Sequence, residues 1–462
     1  PESFIILISE MNPSDVVQVK EFYEGKNVFI TGSTGFMGKI LIEKLLWDCE
    51  DIGNLYLLVR PKKGGSVQRR VDDMLKLPVC HPKTSLTKLL DSLHINLNGK
   101  IFSKLIPIAG DVTEQNLGIS CEDRQLLVEN VSVFFHAAAS VRFDDPIKDA
   151  VISNIRGTRD VVNLAKDMKK LKVSTDKSLK TLAYVFEWFV WLRRVCVAGL
   201  IIGLHPNTYT FTKQMAERIV YEALILFPVT HCIKSPFPGW LENMNGPLGL
   251  SAGYMTGVVH TVFMGKDVVT DYIPCDYVID ALIVITIHSA AGDTQNVTVK
   301  RMLDICENST DDAIPFERML WYPFMFVTLN PWLYMIQVYL FHLLPAIVLD
   351  VFSRLKGDKF SLIRLYRKIF IGNGMLAYFM INDWKIHTQN SYTLKSFMHP
   401  QDKDNFNFDM ATFNLNTAMR SGSIGLKKII LHEDINLNHR LTIHQVLRVY
   451  TYLIVPYNFA IT

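Results

Sequence analysis

Three features of the sequence predict an α/β fold, a Rossmann-type doubly wound parallel sheet with a mostly helical C-terminal domain. Residues 27–46 have the pattern of a strand, a glycine-rich turn and a helix. Buried-strand and helix patterns then alternate through the first half of the chain, which is typical of a parallel sheet covered by helices on both faces. From residue 298 onward the sequence is mostly helical in pattern and strongly apolar.

The glycine-rich turn predicts a dinucleotide site. An apolar strand pattern ends at Thr31 and continues into Gly32, Gly35 and Gly38, and a helical pattern follows at once. In this motif the first glycine permits a tight turn, the second lets the backbone approach a pyrophosphate, and the third lets the helix pack close to the strand. The phosphates then lie at the positive end of the helix. Glycines also close ordinary loops, so it is the flanking strand and helix that favour a nucleotide site.

A basic cluster follows the second predicted strand, residues 55–59, and bears on the choice of cofactor. This strand end faces the adenosine ribose in a dinucleotide fold, and here it carries Arg60 and Lys62. An acidic residue would bind a ribose 2′-hydroxyl, whereas basic side chains suit a 2′-phosphate. The sequence therefore favours NADPH over NADH, with an ordinary solvated basic loop as the alternative.

The next two predicted strands and the helix after them supply further candidate site residues. Residues 106–112 predict the third strand, with Asp111 at its end placed to meet adenine. Residues 131–139 predict the fourth strand, which ends in small residues that leave room for a cofactor. A helix is predicted from about residue 146 to 169, and Asn154 lies inside it.

Tyr209 and Lys213 form the second chemical motif. They stand four residues apart, so on a helix they share one face. An ammonium beside a phenol lowers the pKa of the tyrosine, and the phenol can donate a proton to a carbonyl oxygen while a nicotinamide delivers hydride. After a glycine turn and four strands, this pair predicts a hydride-transfer enzyme.

Composition narrows the class of protein. The 462 residues are 49% hydrophobic and 20% charged, which is more apolar than a typical soluble enzyme and hints at membrane contact. A net charge of only +3 argues against a nucleic-acid surface. The seven cysteines are far apart without a Cys-x-x-Cys pair, which predicts reduced thiols and no metal site. The first ten residues lack the pattern of a signal peptide, and none is expected.

Residues 332–352 form an apolar stretch that is long enough to cross a bilayer. Gln337, His342, Pro345 and Asp350 interrupt it. At this point a spanning helix, a re-entrant or interfacial segment, and a buried helix or wall of an acyl tunnel all stay open. We expect membrane association rather than full crossing.

Taken together, the motifs resemble those of the fatty acyl-CoA reductase family. Members of that family carry an extended short-chain dehydrogenase/reductase domain followed by a helical C-terminal domain of the male-sterility type. The segments that carry the resemblance are residues 31–38 (TGSTGFMG), 57–63 (LLVRPKK), 110–112 (GDV), 136–143 (HAAASVRF), 154–158 (NIRGT), 205–213 (HPNTYTFTK) and 238–246 (PGWLENMNG). The similarity covers nearly the whole chain and is looser in the C-terminal part.

The resemblance implies a reaction and a set of site residues. The reaction is the NADPH-dependent reduction of a long-chain acyl-CoA, through an aldehyde, to a primary alcohol with release of CoA. Tyr209 and Lys213 would be catalytic, Asn154 matches an asparagine that holds a proton-relay water in the wider superfamily, and Ser174 is a candidate for the serine that binds the substrate carbonyl oxygen. The expected cofactor-binding residues are Thr31, Gly32, Thr34, Gly35, Phe36, Gly38, Arg60, Lys62, Asp111, Val112, Ala137, Ala138 and Lys213.

Two segments depart from the family pattern. The family places its serine directly after an apolar fifth strand, whereas Ser174 follows a lysine-rich run and the strand-like residues 181–185 come later without a serine at their end. The family also continues its sixth strand into an Arg-Pro-Ser type turn beside the nicotinamide, and residues 229–238 lack that turn. These departures motivate an alternative, a catalytically impaired paralogue that binds NADP or lipid without efficient turnover.

The domain organisation follows from these motifs. We expect an N-terminal extension at residues 1–25, an NADP-binding reductase domain at 26–297 and a helical domain at 298–462 that contains the membrane-associating segment. A reductase of a sterol or nucleotide sugar is a further alternative, although the apolar C-terminal region suits a lipid tail better. The resemblance implies attachment to the cytosolic face of an intracellular membrane, the endoplasmic reticulum or the peroxisome.

Overall fold

The computed structural model describes part of the chain. The described residues are 18–61, 65–75, 102–140, 142, 145–171, 208, 211–212, 229–230, 239–240, 247–285, 295–298, 300–305, 316, 319–355, 357, 361–383, 395 and 398–433. The fold is α/β, a parallel sheet with helices, as the sequence predicts.

The first part of the chain alternates strands and helices as far as residue 167. The strands are β1 (Val28–Thr31), β2 (Leu55–Val59), β3 (Leu105–Ala109) and β4 (Val133–His136). The helices are α1 (Val19–Tyr23), α2 (Phe36–Asp48), α3 (Val67–Leu75), the 3-10 turn Gln115–Gly118, α4 (Cys121–Asn130), and α5, which comprises Ile147–Ala150, the π-helical turn Val151–Arg156 and Gly157–Asp167.

These four strands form one parallel sheet in the order β3-β2-β1-β4. That order is the first half of the dinucleotide-binding arrangement, in which the chain crosses over after the third strand and returns beside the first. β1 and β2 are buried along their whole length, because helices cover both faces of a parallel sheet. Phe29 and Phe134 stack with ring centroids 5.5 Å apart and anchor one face of this core.

The predicted third and fourth strands are both longer than the observed ones. The third was predicted to reach residue 112 and ends at Ala109; the fourth was predicted to reach residue 139 and ends at His136. In both places small or turn-forming residues follow, and the chain leaves the sheet at its carboxyl edge. The carboxyl edge is where ligands bind to open α/β sheets.

The middle of the chain carries shorter strands. Its elements are β5 (Val229–Thr230), α6 (Pro247–Met255), β6 (Thr261–Phe263), β7 (Val269–Pro274), α7 (Cys275–Ile285), β8 (Gln295–Thr298) and β9 (Phe326–Thr328). β7 lies between β5 and β8, parallel to the first and antiparallel to the second, and β6 pairs with β9 in parallel.

The C-terminal part is helical among the described residues. A continuous helix, α8 (Pro331–Leu355), includes the π-helical turn Tyr339–Leu343 and is followed by α9 (Leu362–Ile381). The remaining elements are α10 (Asp402–Asn405), the 3-10 turn Met410–Thr412 and α11 (Leu415–Gly425), which continues into the π-helical turn Leu426–Ile430. The carboxylate of Asp350 accepts hydrogen bonds from the Leu362 and Ile363 amides at 2.7 and 3.3 Å, so it caps the start of α9.

The chain divides into two compact units that are not contiguous in sequence. Unit 1 comprises Pro1–Phe227, Cys275–Asp293 and His387–Met410, and unit 2 comprises Pro228–Pro274, Thr294–Ile386 and Ala411–Thr462. Hydrogen bonds between residues far apart in sequence join the segments of unit 1. The Val19 amide donates to Asp402 at 2.9 Å, and the Tyr23 hydroxyl donates to the Ile283 carbonyl at 3.2 Å. The predicted functional division after residue 297 stays a prediction.

Candidate active site

The glycine turn between β1 and α2 is built by close backbone contacts. Gly32 has a φ of +70°, and a Cβ there would lie 2.4 Å from the carbonyl carbon of Ala137. A Cβ on Gly38 would lie 2.3 Å from the Gly32 carbonyl oxygen. These two positions therefore admit only glycine, because the turn packs against the end of β4 and against its own helix. Gly35 is solvent-exposed, as a residue that meets a ligand must be before the ligand binds.

The first turn of α2 is suited to an anion. Its N-cap is Gly35, no side chain among the described residues caps it, and its first turn contains no acidic residue. Three amides at a helix start need acceptors from outside the helix, and the helix dipole favours negative charge there. The turn, the exposed glycine and the helix start, which no described side chain caps, together fit the pyrophosphate of a dinucleotide.

Side chains behind the turn hold it in place. The Thr31 hydroxyl hydrogen-bonds Nδ1 of His136 across the β1–β4 pair, and both residues are buried. The Ser33 hydroxyl donates to the Leu58 carbonyl of β2 at 3.0 Å. Ala137 donates its amide to the Thr31 carbonyl at 3.1 Å, and Ala137 and Ala138 are partly exposed beyond β4. The predicted cofactor residues Thr31, Ala137 and Ala138 thus meet at one sheet edge.

Basic side chains gather at the end of β2. Arg60 is 61% exposed, and its Nε lies 2.7 Å from Oδ2 of Asp111. Arg70, on α3, donates to the Arg60 carbonyl at 2.7 Å and to the Thr34 hydroxyl at 3.3 Å. Arg70 therefore joins the glycine turn to the end of β2, which places two guanidinium groups where the sequence predicts a 2′-phosphate. Lys62 lies outside the described residues.

The Asp111 carboxylate bonds to the chain through both of its oxygens. One carboxylate oxygen pairs with Arg60 and the other accepts the Thr113 amide at 2.9 Å. Val112 is buried, and a Cβ on Gly157 of α5 would lie 2.7 Å from its carbonyl oxygen. The structure therefore shows Asp111 orienting Arg60 and Val112 packing on α5. A contact of either residue with adenine stays a prediction.

Asn154 lies in the π-helical turn of α5 and is 3% exposed. Its Oδ1 accepts the Ser140 amide at 2.8 Å and the Ser153 hydroxyl at 3.1 Å. Its Nδ2 donates to the Ser140 carbonyl at 3.2 Å and to the Thr212 hydroxyl at 3.1 Å. An amide side chain has two donors and two acceptor sites, so all four are used.

This asparagine therefore connects two segments of the candidate site. Ser140 belongs to the segment after β4, and Thr212 is the neighbour of Lys213 in the motif at residues 205–213. Thr212 also donates to the Thr208 carbonyl at 2.9 Å, and Thr208 donates to the Asp145 carbonyl at 3.0 Å. π-helical turns are frequent at functional sites because they re-aim a side chain from the helix. The arrangement fixes the backbone beside the predicted catalytic pair.

Sequence reasoning missed Ser140 and Thr212, and it included Arg70 only in the basic run after the second strand, not among the cofactor-binding residues. Arg70 was visible only as a basic residue ten positions beyond Arg60, and its bond to Thr34 depends on where α3 begins. Ser140 and Thr212 lie inside quoted motifs, but no residue spacing indicates that both bind Asn154. Of the other predicted site residues, Tyr209, Lys213 and Ser174 lie outside the described residues, so their roles stay predictions.

Family comparison adds to this geometry. One family model described as "Male sterility protein" matches residues 30–282, and a second with the same description matches residues 341–433. The chain is 32% identical to "Fatty acyl-CoA reductase wat" of Drosophila melanogaster, covering 93% of this chain and 88% of that protein. It is 30% identical to "Fatty acyl-CoA reductase 1" of Homo sapiens, covering 91% and 88%.

Solved structures share the fold at low sequence identity. The terminal R domain from the myxalamid PKS-NRPS biosynthetic pathway aligns with a TM-score of 0.54 at 17% identity over 87% of this chain and 90% of that one. The reductase (R) domain of a non-ribosomal peptide synthetase from Mycobacterium tuberculosis gives a TM-score of 0.53 at 16% identity, over 92% and 99%. Such a likeness shows the fold alone.

Proposed function

Because the chain belongs to the fatty acyl-CoA reductase family, we propose that it uses NADPH to reduce a long-chain acyl-CoA, through an aldehyde, to a primary fatty alcohol. The observation that carries this proposal is the Asn154 network, which links the segment after β4 to the motif that contains Tyr209 and Lys213. That link holds the backbone next to Lys213 in a fixed place relative to the segment after β4.

The proposed cofactor contacts follow from the glycine turn and the end of β2. Gly32, Thr34, Gly35, Phe36 and Gly38 would hold the pyrophosphate at the start of α2. Arg60 and Arg70, with Lys62, would bind the 2′-phosphate, because guanidinium groups bind phosphate oxygens in pairs. When bound, NADPH supplies the hydride.

The chain's own residues would handle the proton. The Tyr209 hydroxyl would donate its proton to the substrate carbonyl oxygen, and the Lys213 ammonium would favour that transfer by stabilising the phenolate left behind. Asn154 would act as a positioning residue through Thr212, and a relay water at its side chain would need one of its present bonds to be given up. Ser174 is the proposed oxyanion donor.

The substrate and location proposals rest on the relatives and on α8. The names of these relatives specify acyl-CoA as the substrate of those proteins, and we propose the same substrate here. Of the described residues, those of α8 form the helix that is long and apolar enough to cross a membrane by length and composition. We propose attachment to the cytosolic face of an intracellular membrane, at the endoplasmic reticulum or the peroxisome.

The cofactor half of the proposal is tested by charge reversal at the end of β2. We expect Arg60→Glu combined with Lys62→Glu to weaken NADPH binding by more than tenfold while NADH binding changes little, because only NADPH carries the 2′-phosphate. The matched control is Arg159→Glu, which reverses the charge of an exposed arginine on α5. Binding is measured by titration of nicotinamide fluorescence. Equal weakening of both cofactors contradicts the phosphate assignment.

The catalytic half is tested with Tyr209→Phe. We expect this variant to keep its NADPH affinity within about twofold. Its rate of acyl-CoA-dependent NADPH oxidation should fall by a factor on the order of a thousand, since the proton donor is removed. Retained turnover would show that the tyrosine is not the acid.

A further inference from the structure

The exposed apolar side chains are concentrated in one region. In the described part of the chain, all large apolar residues that are exposed lie between Leu329 and Ile381, apart from Leu126 and Leu320. Those on α8 include Trp332 at 80% and Leu355 at 79% exposure. Monomeric soluble proteins rarely expose a contiguous apolar surface of this extent without a partner for it.

α8 is inverted relative to a helix of a soluble protein. Its buried positions are Tyr334, His342, Ala346 and Asp350, which recur at multiples of four residues and include the histidine and the aspartate of the helix. Its exposed positions are almost all apolar: Trp332, Leu333, Met335, Ile336, Tyr339, Leu340, Leu344, Ile347, Val348, Leu349, Val351, Phe352 and Leu355. Water on that face would oppose the burial pattern, whereas an apolar medium would match it.

The buried side of α8 is bonded to the folded unit along its whole length. Near its start, Gln337 accepts from the Thr261 hydroxyl at 2.8 Å; in the middle, Nε2 of His342 accepts the His260 amide at 2.8 Å. At its end, Asp350 caps α9 as described above. A helix with polar protein contacts from one end to the other cannot have lipid on all sides, so it lies along a surface and does not cross a bilayer alone.

α9 packs beside α8 in the antiparallel direction. The rings of His342 and Tyr366 stack with centroids 4.9 Å apart, and those of Tyr334 and Phe370 lie 6.3 Å apart. α9 adds further exposed apolar side chains, namely Phe370, Ile371, Tyr378 and Ile381. We call the exposed apolar residues of these two helices the α8–α9 surface.

Basic residues gather at one end of the α8–α9 surface. Residues 331–381 contain six lysines and arginines against two aspartates, a net +4, while the whole chain is only +3. All six lie within residues 354–368: Arg354, Lys356, Lys359, Arg364, Arg367 and Lys368. The four that the structure describes, Arg354, Arg364, Arg367 and Lys368, are exposed. An apolar face with a cluster of basic residues is complementary to an anionic lipid surface.

We propose that the α8–α9 surface docks in the plane of a bilayer, with its apolar side chains in one leaflet and its basic cluster on anionic phospholipid headgroups. This inference rests on the membrane attachment proposed above and is independent of the reduction chemistry. It selects the interfacial arrangement among those that the sequence leaves open, and it adds α9 and a lipid charge preference.

Flotation of the full chain with preformed vesicles tests the apolar contact. We expect binding to phosphatidylcholine vesicles containing phosphatidylserine, and a loss of more than tenfold for Leu340→Asp combined with Phe352→Asp, because charges would enter the acyl region. The matched control is Leu126→Asp, on an exposed apolar residue of α4, which should bind like the parent. Thermal unfolding checks that all variants are folded. Equal binding by parent and double variant overturns the proposal.

The charge preference is tested on the same vesicles. Arg364→Gln with Arg367→Gln and Lys368→Gln should weaken binding on the order of a hundredfold, about fivefold for each charge removed. The control triple is Lys166→Gln, Lys170→Gln and Arg420→Gln, which removes exposed charges elsewhere. Vesicles of phosphatidylcholine alone should bind parent and variant alike. A parent that binds both vesicle types equally contradicts the headgroup contact.

Topology separates docking from crossing. Leu329→Cys and Arg354→Cys place thiols at exposed positions near the two ends of α8 and outside the α8–α9 surface. With sealed vesicles, a membrane-impermeant maleimide should modify both, as judged by the added mass relative to the parent chain. Modification of only one shows that α8 crosses the bilayer. NADPH oxidation with acyl-CoA in detergent is measured in parallel, so that a failed reductase assignment and a failed membrane assignment are told apart.

Discussion

Two apolar helices of this protein, α2 and α8, have opposite surroundings. In α2, which follows the glycine turn, Ile40, Leu41 and Leu45 are at most 1% exposed, and even Lys39 and Glu43 are buried. In α8 most large apolar side chains face outward, whereas His342 and Asp350 are buried. An apolar sequence therefore predicts that a helix is shielded from water, but it does not predict whether protein or lipid surrounds the helix.

What distinguishes the two helices is the position of their polar residues. The buried polar residues of α8, His342 and Asp350, lie on one face of the helix and both bond to the folded unit, so they mark its inner face. In α2 the polar residues do not define a face, because the sheet and neighbouring elements surround it. Lys44 of α2, for example, pairs with Asp280 of α7 at 3.2 Å. The contrast can be tested by matched substitutions.

The largest expected difference comes from deleting a leucine side chain in each helix. Leu45→Ala in α2 should lower the free energy of unfolding by about 2–5 kcal/mol, because a fully buried side chain leaves a cavity. Leu349→Ala in α8, at 41% exposure, should change it by less than about 0.5 kcal/mol in detergent-free solution. Chemical denaturation measures both. Equal costs would show that α8 is covered by protein.

The next largest effect is a pH dependence of stability that comes from a buried carboxyl group of α2. Burial raises the pKa of Glu43 from 4.5 to about 8. The folded state therefore retains a proton that the unfolded state releases, so Glu43 contributes most to stability below pH 4.5, and this contribution is lost as pH rises toward 8. The slope attributable to this group approaches about 1.4 kcal/mol per pH unit.

Denaturation at several pH values between those limits checks this prediction. Glu43→Gln should flatten the slope, while Glu122→Gln, which changes an exposed glutamate of α4, should leave it unchanged. A Glu43→Gln variant that retained the parent slope would mean that Glu43 is ionised in the folded protein.

The smallest expected effect should be the same in both parts of the molecule. Ser120 caps α4 by accepting the Asp123 amide at 3.0 Å, and Asn330 caps α8 by accepting the Trp332 and Leu333 amides at 3.0 and 3.2 Å. Ser120→Ala and Asn330→Ala should each cost about 1 kcal/mol, because a cap is a local bond. Thermal unfolding that shows a several-fold larger loss at one site would point to a role beyond capping.

Much of the nucleotide half could be predicted from sequence because its signals are local. The glycine spacing, the β1 and β2 patterns and the family resemblance depend on neighbouring residues, and the fold and the family are confirmed. The partners of Asn154 could not be predicted, since Thr212 is 58 positions away in sequence. The pairing of Arg60 with Asp111 likewise depends on two strand ends meeting at one sheet edge.

The orientation of α8 lies beyond sequence patterns for a physical reason. Helical periodicity separates two faces but does not state which one meets the protein. In the sequence, His342 and Asp350 only interrupt an apolar stretch, whereas the structure shows both bonded to the folded unit. A polar residue in an apolar helix is thus informative only when its partner is known.

Product analysis tests the central claim, reduction of acyl-CoA to alcohol at the proposed site, most directly. Membranes that contain the full chain are incubated with NADPH and a long-chain acyl-CoA, with Tyr209→Phe membranes as the blank. Reduction of a thioester to an alcohol consumes two hydrides, so we predict fatty alcohol, free CoA and two equivalents of oxidised NADPH, all dependent on Tyr209. Bound NADPH without aldehyde or alcohol would contradict the claim and favour the catalytically impaired paralogue.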